Sequence, residues 1–141
     1  MRASHAIVIE RPPEEVFAYL ADVRHLPEWQ TGIVELRADD EPRLGGRHVE
    51  VRSLLGKRIE ATLEITAYEP PRRFDLEVVE GPLKLRVAHT LEPVDGGTRV
   101  EVDGEGDPGR LFRFAGPLLA RAVEKQTRDD LARLKRLLER R

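Results

Sequence analysis

Four histidines, His5, His25, His48 and His89, are the groups in this 141-residue chain best suited to moving protons near neutral pH. Their spacing fits no metal-ligand motif, so no metal site is expected. The chain has no cysteine. That excludes disulfides, thiolate zinc sites, iron–sulfur ligation and a cysteine nucleophile. No Gly-x-Ser-x-Gly elbow occurs, and the glycines from Gly104 to Gly109 lack the strand-to-helix context in which a dinucleotide phosphate is held. No cofactor is therefore expected. Asp39-Asp40 and Asp129-Asp130 are adjacent pairs, so at most one side chain of each points inward. Chemistry on this chain has to come from few, scattered polar groups.

The elements that position those groups follow from periodicity. Arg2–Ile9 reads as a strand. Pro12-Pro13 followed by Glu14-Glu15 opens a helix of about two turns through Ala21, because proline suits the first helical position and carboxylates suit its dipole. Asp22 to Trp29 reads as a second short helical segment, interrupted at Pro27. Beyond Gly32 the period is two. One face carries Val49, Val51, Ser53 and Leu55, and His48, Glu50 and Arg52 are placed on the solvent side. Ile59, Ala61, Leu63, Ile65 and Ala67 form the next inward row. Phe74, Leu76 and Val78 follow, then Leu83, Leu85, Val87, His89 and Leu91, then Val100 and Val102. Turn residues separate these runs, and short links imply antiparallel neighbours.

Pro108-Gly109 opens the last segment, and Gly116-Pro117 is expected to kink or restart it. Leu119, Val123, Leu131, Leu134 and Leu138 then trace one stripe of a long helix. Glu124–Arg128 and Asp129–Arg133 have the spacing of surface ion pairs. The expected architecture is α+β: six to seven antiparallel strands in a curved sheet, two short helices after the first strand, and a long C-terminal helix across the oily face. A curved sheet cannot meet a straight helix everywhere, so a cavity is expected between them.

Composition narrows the role. The length suits one domain over residues 1–141. Net charge is −2 and aromatics are 5%, so no global field or stacking platform favours nucleic acid. Arginine outnumbers lysine, whose copies are Lys57, Lys84, Lys125 and Lys135. Genomic base composition accounts for that bias unless the arginines cluster around an anion. No signal-like stretch opens the chain, and no run is long and apolar enough to span a membrane. A cytoplasmic location is expected. From Asp107 to Arg141, ten basic residues stand against five acidic ones, with Arg121, Lys125, Arg128 and Arg136 on the outer face.

Ile9-Glu10-Arg11-Pro12-Pro13-Glu14-Glu15-Val16-Phe17 and Asp22-Val23-Arg24-His25-Leu26-Pro27-Glu28-Trp29 carry a family resemblance. So do the turn Glu92-Pro93-Val94-Asp95-Gly96-Gly97-Thr98-Arg99-Val100 and the closing Asp130-Leu131-Ala132-Arg133-Leu134-Lys135. With this element order, the chain resembles the START-like (SRPBCC) helix-grip superfamily, which includes polyketide cyclase/dehydrases and lipid-transport domains. The resemblance implies a hydrophobic cavity between sheet and terminal helix. It is specific for fold rather than for activity.

His89 is then the most informative residue. It lies between Val87 and Leu91 on the inward face, either as a satisfied core histidine or as a polar group of the cavity. Ser53 is a weaker candidate, because small hydroxyls commonly bond to backbone. Trp29 rims the cavity mouth if the resemblance holds, or packs the helix pair onto the sheet. Gln126, Thr127 and Asp130 interrupt the apolar stripe, presenting polar groups to a ligand or drifting to the edge of the buried face. Leu63, Phe74, Leu85, Val87, Leu119 and Val123 complete the expected lining.

The leading expectation is binding of a small, mostly hydrophobic, lipid- or polyketide-like molecule. The alternative is an aromatase/cyclase-type enzyme with His89 as acid and base. A third reading, from another class, is a protein-binding module using the basic terminal helix. A free sheet edge would also give a second copy of the chain a surface for a homodimer.

Overall fold

A computed structural model describes residues 1–38, 41–107, 109 and 116–141. The expectations for Asp39, Asp40 and Pro108 lie outside them. Seven strands form one antiparallel sheet: β1 (Arg2–Ile9), β2 (Ile33–Arg37), β3 (Arg47–Leu54), β4 (Lys57–Glu69), β5 (Arg73–Glu80), β6 (Lys84–Val94) and β7 (Gly97–Asp107). Their order is β1-β7-β6-β5-β4-β3-β2. Two short helices, α1 (Pro13–Leu20) and α2 (Leu26–Trp29), follow the first strand, and α3 (Gly116–Glu139) ends the chain. The sheet curls into a half-barrel around α3, the helix-grip arrangement.

Local chemistry sets the boundaries. α1 has proline at its start and Glu14 and Glu15 in its first turn, where carboxylates offset the exposed N–H groups. Asp22 caps the following turn by accepting from the Arg24 backbone N–H at 3.0 Å. Two-residue hairpin turns join β3 to β4 and β6 to β7. Such turns need positive φ, met by Gly96 at 81° and by Leu55 and Gly56 at 50° and 76°. Leu55 thus belongs to a turn, exposed, and not to the inward row expected of it.

Two further strand assignments change. β3 pairs with β4 so that His48 meets Leu63, Glu50 meets Ala61 and Arg52 meets Ile59. Directly paired residues share a face. His48, Glu50 and Arg52 therefore point inward, while Val49, Val51 and Ser53 lie on the other side. His48 and Glu50 are buried, contrary to the solvent position expected from their polarity. Val51 stays buried on the outer face, in register with Glu35 and Glu60, whose partners are the long side chains of Arg37 and Arg58. Farther along β4, the register shifts between Ile65 and Ala67. Tyr68 takes the inward place instead of Ala67 and packs edge-on against Phe17 and Phe74, at centroid distances of 5.5 and 6.3 Å.

The core has two parts. Leu131, Leu134 and Leu138 of α3 pack with Ile9, Val16, Phe17, Leu20, Phe74 and Leu91. Leu119 and Val123, near the start of α3, pack with Leu54, Ile59 and Leu83. The surface pairs also differ from expectation. Asp129 is held by Lys125 at 2.6 Å, because Arg133 turns to donate to the Glu28 carbonyl at 2.7 Å.

One glycine fixes how closely β1 and β7 approach. A Cβ built at Gly97 would sit 2.1 Å from the Ile9 carbonyl oxygen, and backbone on both sides would have to move. Gly97→Ala is expected to destabilise the protein by more than about 1 kcal/mol, read as a lower urea midpoint at unchanged slope. An unchanged midpoint would show that the β1–β7 edge is loose.

Candidate functional site

Between the two core clusters the sheet and α3 part, leaving a cavity of about 180 Å³. Leu63, Leu76, Leu85, Val87 and Val102 line it from the sheet, Leu26 and Trp29 from α2, and Val123 and Leu131 from α3. Gly104 contributes backbone alone, and the nearest atoms to a Cβ there would be 3.9 Å away. A wider groove of about 810 Å³ borders Glu77 to Arg86 and the first two residues. It takes no wall from α3 and nearly half of its lining residues are charged, so the more enclosed and more apolar space is the better ligand site.

Polar groups enter the cavity from three sides. From β6, His89 is buried, and its Nδ1 lies 2.8 Å from the Phe74 carbonyl oxygen. A carbonyl only accepts, so Nδ1 carries the proton and Nε2 keeps its lone pair. Burial lowers the pKa of His89, against the opposing Phe74 hydrogen bond, and the ring is neutral at pH 7.

From β3 comes a chain of paired side chains. His48 Nε2 lies 2.6 Å from one Glu50 oxygen. Arg52 Nε donates to the other at 2.8 Å, and Arg52 Nη2 donates to Gln30 Oε1. Burial alone would raise the Glu50 pKa, yet Arg52 and His48 outweigh it and hold the carboxylate down at about 2. Two side-chain nitrogens closed off on all sides have no partner among the described residues, Trp29 Nε1 and His48 Nδ1.

From α3, Asp130 accepts from the Thr31 backbone N–H at 3.3 Å, which ties the loop after α2 to the helix. Burial pushes its pKa up to about 6, against the Thr31 hydrogen bond and the charge of Arg52. Gln126 packs over Gly32, where a Cβ would come within 2.0 Å of its amide nitrogen. Thr127 donates to the Val123 carbonyl at 2.9 Å.

The raised Asp130 pKa has a measurable sign. Folding penalises the ionised form, so the stability linked to Asp130 is fully present below the unfolded value of 3.8 and is lost as pH rises through about 6. Asn keeps the acceptor for Thr31 without the charge. Asp130→Asn is expected to be more stable than wild type at pH 7.5, by about 1–2 kcal/mol once solvent screening is allowed for. The difference should vanish near pH 3.5. Urea titrations at both values test this, and an equal difference at both would remove Asp130 from the buried, charge-penalised position.

Set against the sequence, the cavity brings together Trp29, Leu63, Leu85, Val87, His89, Val123, Gln126 and Thr127. Ser53 borders it although its β3 register puts it on the opposite face, and it is exposed. Phe74 and Leu119 stand behind the wall, in the core clusters. His5 is half-buried in register with Val102, and His25 stacks on Tyr19 with centroids 4.4 Å apart, away from the cavity. Glu50 and Arg52 were missed. Their signal was the His-x-Glu-x-Arg spacing of β3, which lines three complementary groups along one strand face.

Comparison with known proteins agrees with this fold. Residues 1–139 match the family model described as polyketide cyclase / dehydrase and lipid transport. No match was found among curated protein sequences. Among solved structures, TTHA0849 from Thermus thermophilus superposes with a TM-score of 0.86 at 17% identity, covering 98% of this chain and 97% of that one. The Zhui aromatase/cyclase from Streptomyces sp. R1128 superposes at 0.82 and 17% identity, covering 100% and 94%. A conserved protein from Geobacillus kaustophilus gives 0.77 at 18%, covering 99% and 96%. At these identities the structures attest the fold alone. The match along nearly the whole sequence does more: this chain belongs to the polyketide cyclase/dehydrase and lipid transport family.

Proposed function

We propose that the protein binds one small, mostly hydrophobic molecule in the cavity between sheet and α3, with the molecule's polar end beside His89 and Asp130. The observation that carries this reading is the cavity itself. Most of its open surface is apolar, supplied by leucine, valine and Trp29, with polar side chains placed among them, the character expected of a ligand site. Size sets the scale of the ligand. An apolar cavity of ~150 Å³ holds benzene, so about 180 Å³ suits a molecule of one ring with a short substituent. A long lipid would need the wall to open.

A second reading, cyclase-type proton transfer, has its own support. Neutral His89 and Asp130, the latter near pH 6, line one space with Arg52. A base and an acid sharing one cavity are the groups that general acid–base catalysis uses. Native mass spectrometry of freshly purified protein, with a thermal-shift panel of small hydrophobic molecules, tests the binding function. A carried adduct or a saturable stabilisation is expected. Neither appearing would overturn it. Turnover of a reactive polyketone, lost in His89→Phe, would move the assignment to the enzyme.

A further inference from the structure

One buried polar group of the cavity presents a lone pair that the protein leaves unmet. His89 gives its only proton to the Phe74 carbonyl, and its Nε2 has no partner among the described residues. That atom is a pure acceptor. Asp130 is a further acceptor, engaged by Thr31. Thr127 has committed its hydroxyl proton to Val123, so it too can only accept. The Trp29 indole N–H, a donor, is buried out of reach of water. Arg52 donates through Nε and Nη2 to Glu50 and Gln30. Its Nη1 and the amides of Gln30 and Gln126 are further donors of the lining, so the unmet acceptor is His89 Nε2 itself rather than the cavity as a whole. The charge of Arg52 is matched by the Glu50 carboxylate, which leaves Asp130 and Glu105 as the lining's other carboxylates.

From this pattern we infer that the cavity selects uncharged ligands bearing a hydroxyl or N–H donor, read by His89 Nε2, and rejects carboxylates. This rests on the cavity being the ligand site. Two costs produce the selection. A ligand without a donor leaves Nε2 desolvated and unpaired, and sites built to bond a hydroxyl discriminate strongly against analogues lacking it. A carboxylate meets the same lone pair head-on and adds a second negative charge beside Asp130.

The test uses the full chain at pH 7.5 and four probes of one-ring size: 4-ethylphenol, 4-ethylanisole, 4-ethylbenzoate and 4-ethyltoluene. Calorimetric titration should give 4-ethylphenol about tenfold tighter than 4-ethylanisole, with 4-ethylbenzoate weaker still. In His89→Leu the ratio of 4-ethylphenol to 4-ethyltoluene affinity should fall about tenfold, while 4-ethyltoluene itself still binds. If that variant does not fold, the wild-type comparison decides alone. Equal binding of phenol and anisole, or tighter binding of the benzoate, overturns the donor rule and leaves the cavity as a ligand site. Failure of all four to bind overturns both.

Discussion

Replacing Arg52 with leucine is expected to destabilise the protein by about 3–5 kcal/mol at neutral pH, because it strands a buried carboxylate. Glu50 is only 3% exposed. Its two oxygens are held by His48 at 2.6 Å and by Arg52 at 2.8 Å. Arg52 is the cation that makes ionisation tolerable there, since burial by itself acts to raise the Glu50 pKa. The sign of the pH effect follows. In the wild type, Glu50 titrates at about 2, below its ordinary 4.5. Its stabilising contribution is therefore present above 4.5 and is lost as pH falls through about 2. In Arg52→Leu that contribution is gone, and the carboxyl should titrate well above the wild-type value. The gap between the two proteins is expected to be widest near pH 7 and to narrow as the variant's Glu50 protonates at lower pH. Glu50→Gln added to Arg52→Leu should recover much of the loss at pH 7, because the stranded charge is then absent. Urea midpoints of the three proteins at pH 7 and pH 4 decide it. A gap that does not depend on pH, or a double variant no better than the single, would mean that Arg52 matters for packing rather than for charge.

The same three residues show where sequence reading stops. β4 as far as Ile65, and β6, were legible because the inward face of each is mostly aliphatic and packs against the core, so period-two hydrophobicity and burial coincide. In β3 they part. Its polar face turns inward because the ion pairs there satisfy one another, and Val51 on the outer face is covered by neighbouring charged residues. Polarity predicts exposure only for groups without partners, and a partner such as Gln30, brought up by α2, has no signature in the β3 sequence. α3 was read more fully. The apolar stripe placed Leu131, Leu134 and Leu138 correctly, and Gln126, Thr127 and Asp130 were visible as its interruptions. That they share one cavity with His89 was not, because this depends on the gap between two core clusters. Phe74 and Leu119 err for the same reason: an inward residue lines a cavity only where the opposite wall stands away from it.

That gap has a specific cause at one position, and filling it should separate binding from folding. Along the inward row of β7, Val100 and Val102 are followed by Gly104. Gly104 lines the cavity, and a Cβ there would meet nothing closer than 3.9 Å. No positive φ is required at this glycine, so a side chain costs the backbone no strain. The residue withholds volume where its neighbours supply it. Gly97 and Gly106 behave differently, since a Cβ at either would run into backbone at 2.1 Å. Gly104→Leu would project an aliphatic group into about 180 Å³ of largely apolar space. Burying it, together with removing the flexibility of glycine from a strand, is expected to stabilise the protein by about 1–2 kcal/mol. Binding should respond in the opposite direction, with affinity for a one-ring hydrophobic probe such as 4-ethyltoluene falling at least about a hundredfold. Denaturation and calorimetric titration of the same sample give both readings. Lost binding with a raised or unchanged midpoint marks the cavity as the ligand site. Retained binding would move the site elsewhere, and a collapsed midpoint would show that the space under α3 is too small for a side chain and smaller than any ligand proposed for it.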